Sequence, residues 1–171
     1  GHPVPVCVPL EGDRVADLIH SQVYSFSGER GEEVNVRPMS EELLEELADL
    51  RETMLLAAAE IDESLEDAVL EGGPVDPEKV IAALRQATKE GKAHPVFGGS
   101  ALKNWGIQPL LDGVLALLPS PLERPASIGI DRKGNEELIE MDAAGPLAAL
   151  AFKVQLWEGR RHVFVRVFRG K

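Results

Sequence analysis

Cysteine is nearly missing from this chain. Cys7 is the only one among 171 residues, so neither a disulfide nor a cysteine-based metal cluster can form within it. Its setting, between valines in Val4–Val8, predicts a small buried apolar residue and not a reactive thiol. Aromatic residues make up only 5%, and no apolar run approaches the roughly 18 residues needed to cross a bilayer. No membrane association is expected, and a reducing cytoplasmic setting fits. Basic residues are also in short supply: Lys and Arg number 18 against 29 Asp and Glu, a formal net charge of -11. A broad phosphate-binding surface of the kind that grips DNA needs clustered cations, and this balance excludes it. The four histidines (His2, His20, His94 and His162) are scattered, so no metal site is expected. No Gly-x-x-x-x-Gly-Lys-Ser/Thr phosphate loop, Asn-Lys-x-Asp segment or Gly-x-Ser-x-Gly elbow occurs, and no residue is assigned a catalytic role.

What is present is ordinary globular composition, with 44% hydrophobic and 27% charged residues. The charge is unevenly distributed. Ser40 to Glu71 holds twelve acidic residues against one basic residue, Arg51, whereas Lys153 to Lys171 holds six basic residues against Glu158. Segments of such opposite character point to more than one structural unit.

Val4, Val6 and Val8, separated by Pro5 and Cys7, alternate as a strand, and the prolines predict that it is not a fully paired central one. Val23 to Phe26 alternates again, and Glu29 to Asn35 reads as a loop or hairpin tip. Ser40 should cap a helix whose apolar stripe is Leu43, Leu44, Leu47, Leu50, Met54 and Leu55. A short helix over 62–70, stopped by Gly72-Gly73-Pro74, comes next. Asp76-Pro77-Glu78 then starts a third helix buried through Val80, Ile81, Leu84 and Ala87. Pro95-Val96-Phe97 is a short strand, and a helix over 107–118 places Leu110, Leu111, Val114, Leu115 and Leu118 on one face. A linker follows, then a turn at 131–135. Two half-buried alternating strands, Leu150–Leu156 and Val163–Val167, form a hairpin around Trp157–Arg161. An isolated hairpin is marginal in water, which favours reading it as the start of a larger barrel, with Trp157 and Phe168 as barrel core.

One stretch is far more specific. Pro95-Val96-Phe97-Gly98-Gly99-Ser100-Ala101-Leu102-Lys103-Asn104-Trp105-Gly106-Ile107-Gln108-Pro109-Leu110-Leu111-Asp112, with Leu117-Leu118-Pro119-Ser120-Pro121 after it, closely resembles translational GTPases of the elongation factor G family. In that family it is the last G-domain strand, the guanine-contacting loop and the final helix. The resemblance covers nearly the whole chain and is strongest from Leu70 to Phe152. It departs at Trp105, where the family usually has a basic residue, and at the short turn Trp157–His162.

The resemblance implies an α+β internal fragment. Residues 1–93 would be the subdomain inserted in the G domain, 94–121 its final strand, loop and helix, and 122–171 a linker and the first strands of the domain II β-barrel. It assigns nucleotide contact to Ser100, Ala101 and Leu102, with Ser100 steadying the loop. The intact parent would bind GTP or GDP with magnesium and hydrolyse GTP on the ribosome; no nucleotide is expected to stay bound to this fragment. It further implies that Glu41, Glu45 and Glu52 meet the stalk protein of the large subunit, and that Arg160 and Arg161 approach ribosomal RNA. Two alternatives remain open: a protein-binding module acting through the acidic helices, and a piece of a ribosome-protection or release-factor-like GTPase.

Overall fold

The computed structural model describes residues 2–70, 74–131 and 133–171, the side chains of Asp67, Ala68 and Leu70 excepted. The chain forms two compact units, one through Leu118 and one over Pro119–Lys171. The Gly72-Gly73 stop and Arg132 of the 131–135 turn lie outside the described residues. Among the described residues no helix is long and apolar enough to cross a membrane.

The first unit is built on a five-stranded sheet in the order β4-β3-β2-β1-β5. Its strands are β1 (His2–Pro9), β2 (Arg14–Asp17), β3 (Gln22–Ser27), β4 (Glu33–Pro38) and β5 (Ala93–Phe97). Strands β1 to β4 pair antiparallel in sequence, and β5 returns parallel to β1. Strand β1 has a neighbour on each side but is not fully paired on both, as its prolines predict. The reason is positional. Strand β2 pairs only with Cys7–Pro9, so Pro3 and Pro5 lie beyond it, where a missing N–H forfeits no bond. A register shift between Pro5 and Cys7 accommodates the ladder to β5, which uses His2 N–H and the Cys7 carbonyl. The supposed loop over 29–35 is shorter than expected, because β4 already begins at Glu33.

Helices α1 (Glu41–Glu46), α2 (Ala48–Ala59), α3 (Ser64–Leu70), α4 (Pro77–Lys89) and α5 (Ile107–Leu117) complete this unit. Ser40 caps α1 by accepting the Leu43 N–H, and Asp76 caps α4 by accepting the Glu78 N–H, with Pro77 at the first helical position. The single helix expected from Ser40 onward is in fact two. Leu47, at φ -98 and ψ 8, leaves helical geometry and is buried, so the stripe breaks there. Only Leu47, Met54 and Leu55 of that stripe are buried, while Leu44 and Leu50 are exposed. Helix α2 packs on β1 and α4, and α4 packs on β5 and α5. The core they share is led by Val4, Leu18, Phe26, Met54, Val80 and Leu84.

Helix α5 forms where its sequence pattern places it, but its leucine face is not the buried one. The predicted stripe of Leu110, Leu111, Val114, Leu115 and Leu118 is exposed, and Pro109 and Leu117 are the buried positions. Gly113 brings α5 onto β5, since any Cβ there would overlap the Phe97 ring. Arg85 of α4 donates to the Leu115 and Ala116 carbonyls, tying α4 to the C-terminal turn of α5.

The second unit opens with a 3-10 turn, Pro121–Glu123, closed by a capping box between Ser120 and Glu123. It contains two hairpins, β6 (Ser127–Ile130) with β7 (Glu136–Ile139), and β8 (Ala148–Trp157) with β9 (Arg160–Arg169). Of the β6–β7 hairpin the sequence announces only the turn at 131–135, not the strands. Its turn is organised by Asp131, whose carboxylate accepts the Lys133 and Asn135 N–H groups, and these bonds hold that carboxyl below its usual range, the Asn135 contacts foremost. The β8–β9 turn is tighter than expected, a two-residue connection with Glu158 at φ 50 and Gly159 at φ 72. These strands, expected to be half-buried, are exposed on both faces over most of their length, and Trp157 is 65% exposed.

Candidate functional site

The strand-to-helix connection after β5 is locally constrained at every step. Ser100 and Trp105 form an isolated antiparallel bridge: Ser100 N–H donates to the Trp105 carbonyl at 2.8 Å, and Trp105 N–H to the Ser100 carbonyl at 3.0 Å. Between them Ala101–Lys103 makes one 3-10 turn, with Lys103 N–H donating to Ser100 O and Asn104 N–H to Ala101 O. Asn104 (φ 59) and Gly106 (φ 81) both occupy the left-handed region, which returns the chain to the start of α5. Gly99 lies so close to the Trp105 carbonyl that a Cβ would come within 2.5 Å of it. Gly99 is thus required by close backbone approach and Gly98 by the Pro9 ring, which a Cβ there would overlap, and neither by flexibility.

This geometry turns the first N–H groups of the turn, those of Ala101 and Leu102, away from any intrahelical acceptor. Both side chains stand in solvent, Leu102 at 97% exposure, whereas Ser100 is half-buried and holds the base of the loop through its backbone. Lys103 places its Nζ 4.2 Å from the centre of the Trp105 ring. The result is a small, rigid projection with backbone donors at its tip, suited to an acceptor on a flat ligand edge.

Two curated proteins align with the chain along nearly its whole length. Elongation factor G 2 of Geobacter metallireducens is 40% identical over 169 residues, covering 98% of this chain and 25% of that protein. Elongation factor G of Fervidobacterium nodosum is 38% identical over 176 residues, covering 99% and 25% respectively. The chain belongs to the elongation factor G family. It spans about a quarter of the length of these relatives. No family model matches the chain. A crystal structure of a Thermus thermophilus protein superposes with a TM-score of 0.67 at 28% identity, covering 98% of this chain and 23% of that one.

Within this elongation factor G segment, the other predicted contact residues are not all brought together. Glu41 and Glu45 lie on α1 and Glu52 on α2, all exposed. On a continuous helix Glu45 and Glu52 would share a face; the break at Leu47 interrupts that register. Arg160 and Arg161 are adjacent on β9, so their side chains leave opposite faces. Arg161 sits across from Leu156 on a face shared with Val163 and Val165, while Arg160, opposite Trp157, shares its face with His162, Phe164 and Arg166. The two arginines cannot close on one phosphate.

Two residues beside the loop had no functional reading from sequence, Gly31 and Asn104. Gly31, at the β3–β4 tip, accepts a hydrogen bond from Asn104 Nδ2 at 3.3 Å. The only sequence signal was the glycine pair Gly28 and Gly31 in a polar tip, which does not name its distant partner.

A second cluster lies between α5 and the sheet. Buried Asp17 accepts the Ile19 and His20 N–H groups and meets His20 Nδ1 at 2.7 Å. Burial pushes the Cys7 thiol up from 9.0 to about 12, with the Asp17 charge adding to it. These groups border an apolar cavity of about 90 Å³ and hold no nucleophile in a reactive state.

Proposed function

We propose that the chain is the guanine-selecting segment of a ribosome-dependent GTPase that drives movement of tRNA and messenger RNA during elongation. The supporting observation is the braced Ser100–Trp105 loop, with the Ala101 and Leu102 N–H groups at its tip. Guanine offers a carbonyl oxygen, O6, where adenine offers an amino donor. Backbone N–H groups donate to the first and are left unpaired by the second, which costs about 1–3 kcal/mol in a desolvated contact.

The residues of this chain fit the base but not the rest of the ligand. The sequence has no phosphate loop, and among the described residues no three His, Cys, Asp or Glu side chains group to hold a metal ion. The phosphates and magnesium would be held by other parts of the parent, in the cytoplasm. The purified chain is expected to show no GTP turnover, with or without ribosomes; measurable hydrolysis sinks this reading. Exchanging the chain for the matching segment of the Geobacter elongation factor G 2 should preserve the preference for GTP over ATP. Loss of that preference counts equally against it.

The second reading is supported by the exposed acidic run on α1 and α2. Glu41, Glu45 and Glu52 would meet the stalk protein of the large ribosomal subunit, and Arg160, with Arg161 on the opposite face, would approach ribosomal RNA. Titration of labelled chain with the stalk protein's C-terminal domain should saturate and weaken with salt. Charge reversal at Glu45 and Glu52 should abolish it, and unchanged binding rejects the assignment.

A further inference from the structure

The base-contacting loop is braced on one side by its own Ser100–Trp105 bridge, and on the other by a segment 73 residues away. The β3–β4 tip reaches it through Gly31. This residue sits at φ +62, its carbonyl accepts Asn104 Nδ2, and a Cβ on it would run into the Lys103 carbonyl and come within 3.0 Å of Trp105 Cδ1. The tip is itself ordered: Arg30 N–H donates to Glu32 Oε2 at 2.8 Å, Ser27 Oγ donates to Glu33 Oε2 at 2.9 Å, and Gly28 packs on the Glu32 carboxylate. A fixed backbone therefore abuts the end of the 3-10 turn at Lys103, Asn104 and Trp105. A lone 3-10 turn is held by few bonds and is weak by itself.

We propose that the β3–β4 tip is a clamp that positions the base-contacting loop, with Gly31 and Asn104 as its positioning residues. Hydrogen bonds lose strength steeply with misalignment, so N–H donors at a turn's tip discriminate between bases only if the turn is held still. Neither residue touches the base; both act through Lys103–Trp105 on the neighbouring Ala101 and Leu102. The inference rests on the guanine reading for what the clamp serves, and on the contacts above for its existence.

The test separates the two. Trp157→Phe leaves Trp105 as the single tryptophan of the chain, next to the clamp. In that background Gly31→Ala and Asn104→Gly should shift Trp105 emission to longer wavelength and raise its quenching by acrylamide about twofold or more, as expected for a half-buried ring gaining solvent. Asn104→Gly keeps the left-handed backbone and removes only the side-chain bond, so it remains informative if Gly31→Ala folds poorly. Gly12→Ala is the control, with φ +80 but no atom within 4 Å of its Cβ, and should leave Trp105 unchanged. In the Geobacter factor carrying this segment, both clamp variants should weaken GDP about tenfold and erode the GDP-over-ADP preference, with kcat at saturating GTP unchanged. Unaltered Trp105 signals in both variants, or loosening with full GDP-over-ADP preference, overturns the clamp. If the unsubstituted hybrid shows no preference for GDP, the guanine reading fails, and the clamp is judged on Trp105 alone.

Discussion

Residues 2–118 and 119–171 are written in similar strand grammar and fold to different ends. In the first unit, Val4 and Phe26 are each 1% exposed; in the second, Val154 and Phe152 are each 62% exposed. Among the described residues, every buried hydrophobic residue of the core precedes Pro119. Alternation in a sequence specifies that a strand has two faces and can pair. It does not specify what covers either face, and a two-stranded ribbon has no third element with which to exclude water. The largest predicted effect follows directly. Phe26→Ala should destabilise the first unit by about 3–5 kcal/mol, the cost of emptying a fully packed aromatic site. Phe152→Ala should change the stability of the second unit by less than about 1 kcal/mol, since little of its ring is withdrawn from water. Denaturant melts followed separately for each unit check the pair; equal losses would break the contrast.

A smaller effect probes how tightly the first unit is closed. Gly113→Ala inserts a methyl into the Phe97 ring, which must move or push α5 off β5, costing about 1–3 kcal/mol. Gly134→Ala in the second unit meets nothing within 4 Å and loses only through its φ of +88, about 1 kcal/mol. Thermal melting of both variants orders them, and a neutral Gly113→Ala would show that α5 is loosely seated.

The single cysteine gives a pH-dependent version of the same comparison. Cys7 is raised from 9.0 to about 12, so the folded state holds the neutral thiol while the unfolded chain releases the proton near 9. Its contribution to stability is complete below pH 9 and is lost progressively as pH rises from 9 toward 12. Tyr24, raised chiefly by burial and then by Asp17, acts with the same sign. Stability of the first unit should therefore fall more steeply between about pH 9 and 10.5 in the parent than in Cys7→Ala. Equal slopes in a denaturant series at each pH would contradict the buried thiol.

How much of this was legible in the sequence depends on how local each determinant is. The Asp76-Pro77 cap and the Val80–Leu84–Ala87 face of α4 were readable because all their causes lie within one helix. So was the loop, through the residue order around Ser100. The break at Leu47 was not: Leu43, Leu44, Leu47 and Leu50 continue a helical period, and only the pull of Leu47 into the core interrupts it. The incomplete pairing of β1 was legible in its prolines, although the short reach of β2 that leaves them room was not. Helix α5 shows what periodicity leaves open: its leucine stripe lies on one face as read, and that face is exposed among the described residues. Strands β6 and β7 were missed because four residues each carry too short an alternation; only their turn, fixed by one Asp131 side chain, was legible. The Gly31–Asn104 bond joins two turns through tertiary structure, and neither turn announces the other.

The smallest effect concerns what holds the second unit together without a core. Arg169, only 16% exposed at its side chain, donates through Nη2 to Glu137 Oε1 at 2.7 Å and through Nε to the Pro146 carbonyl at 3.0 Å. It thereby joins β9 to β7, and Gly170 N–H adds a bond to Asp142 O. Glu137 is 56% exposed, so water and salt screen the pair, and Glu137→Gln should cost only about 0.2–1 kcal/mol. Arg169→Ala should cost more, because it also abandons the Pro146 carbonyl and the packing of its stem on Gly145. Amide exchange at Ile128 and Leu138 should rise slightly in Glu137→Gln and more in Arg169→Ala, and the first difference should vanish at high salt. A salt-insensitive loss in Glu137→Gln would mean that packing, not charge, orders this unit, and the contrast between the two regions would then be one of degree.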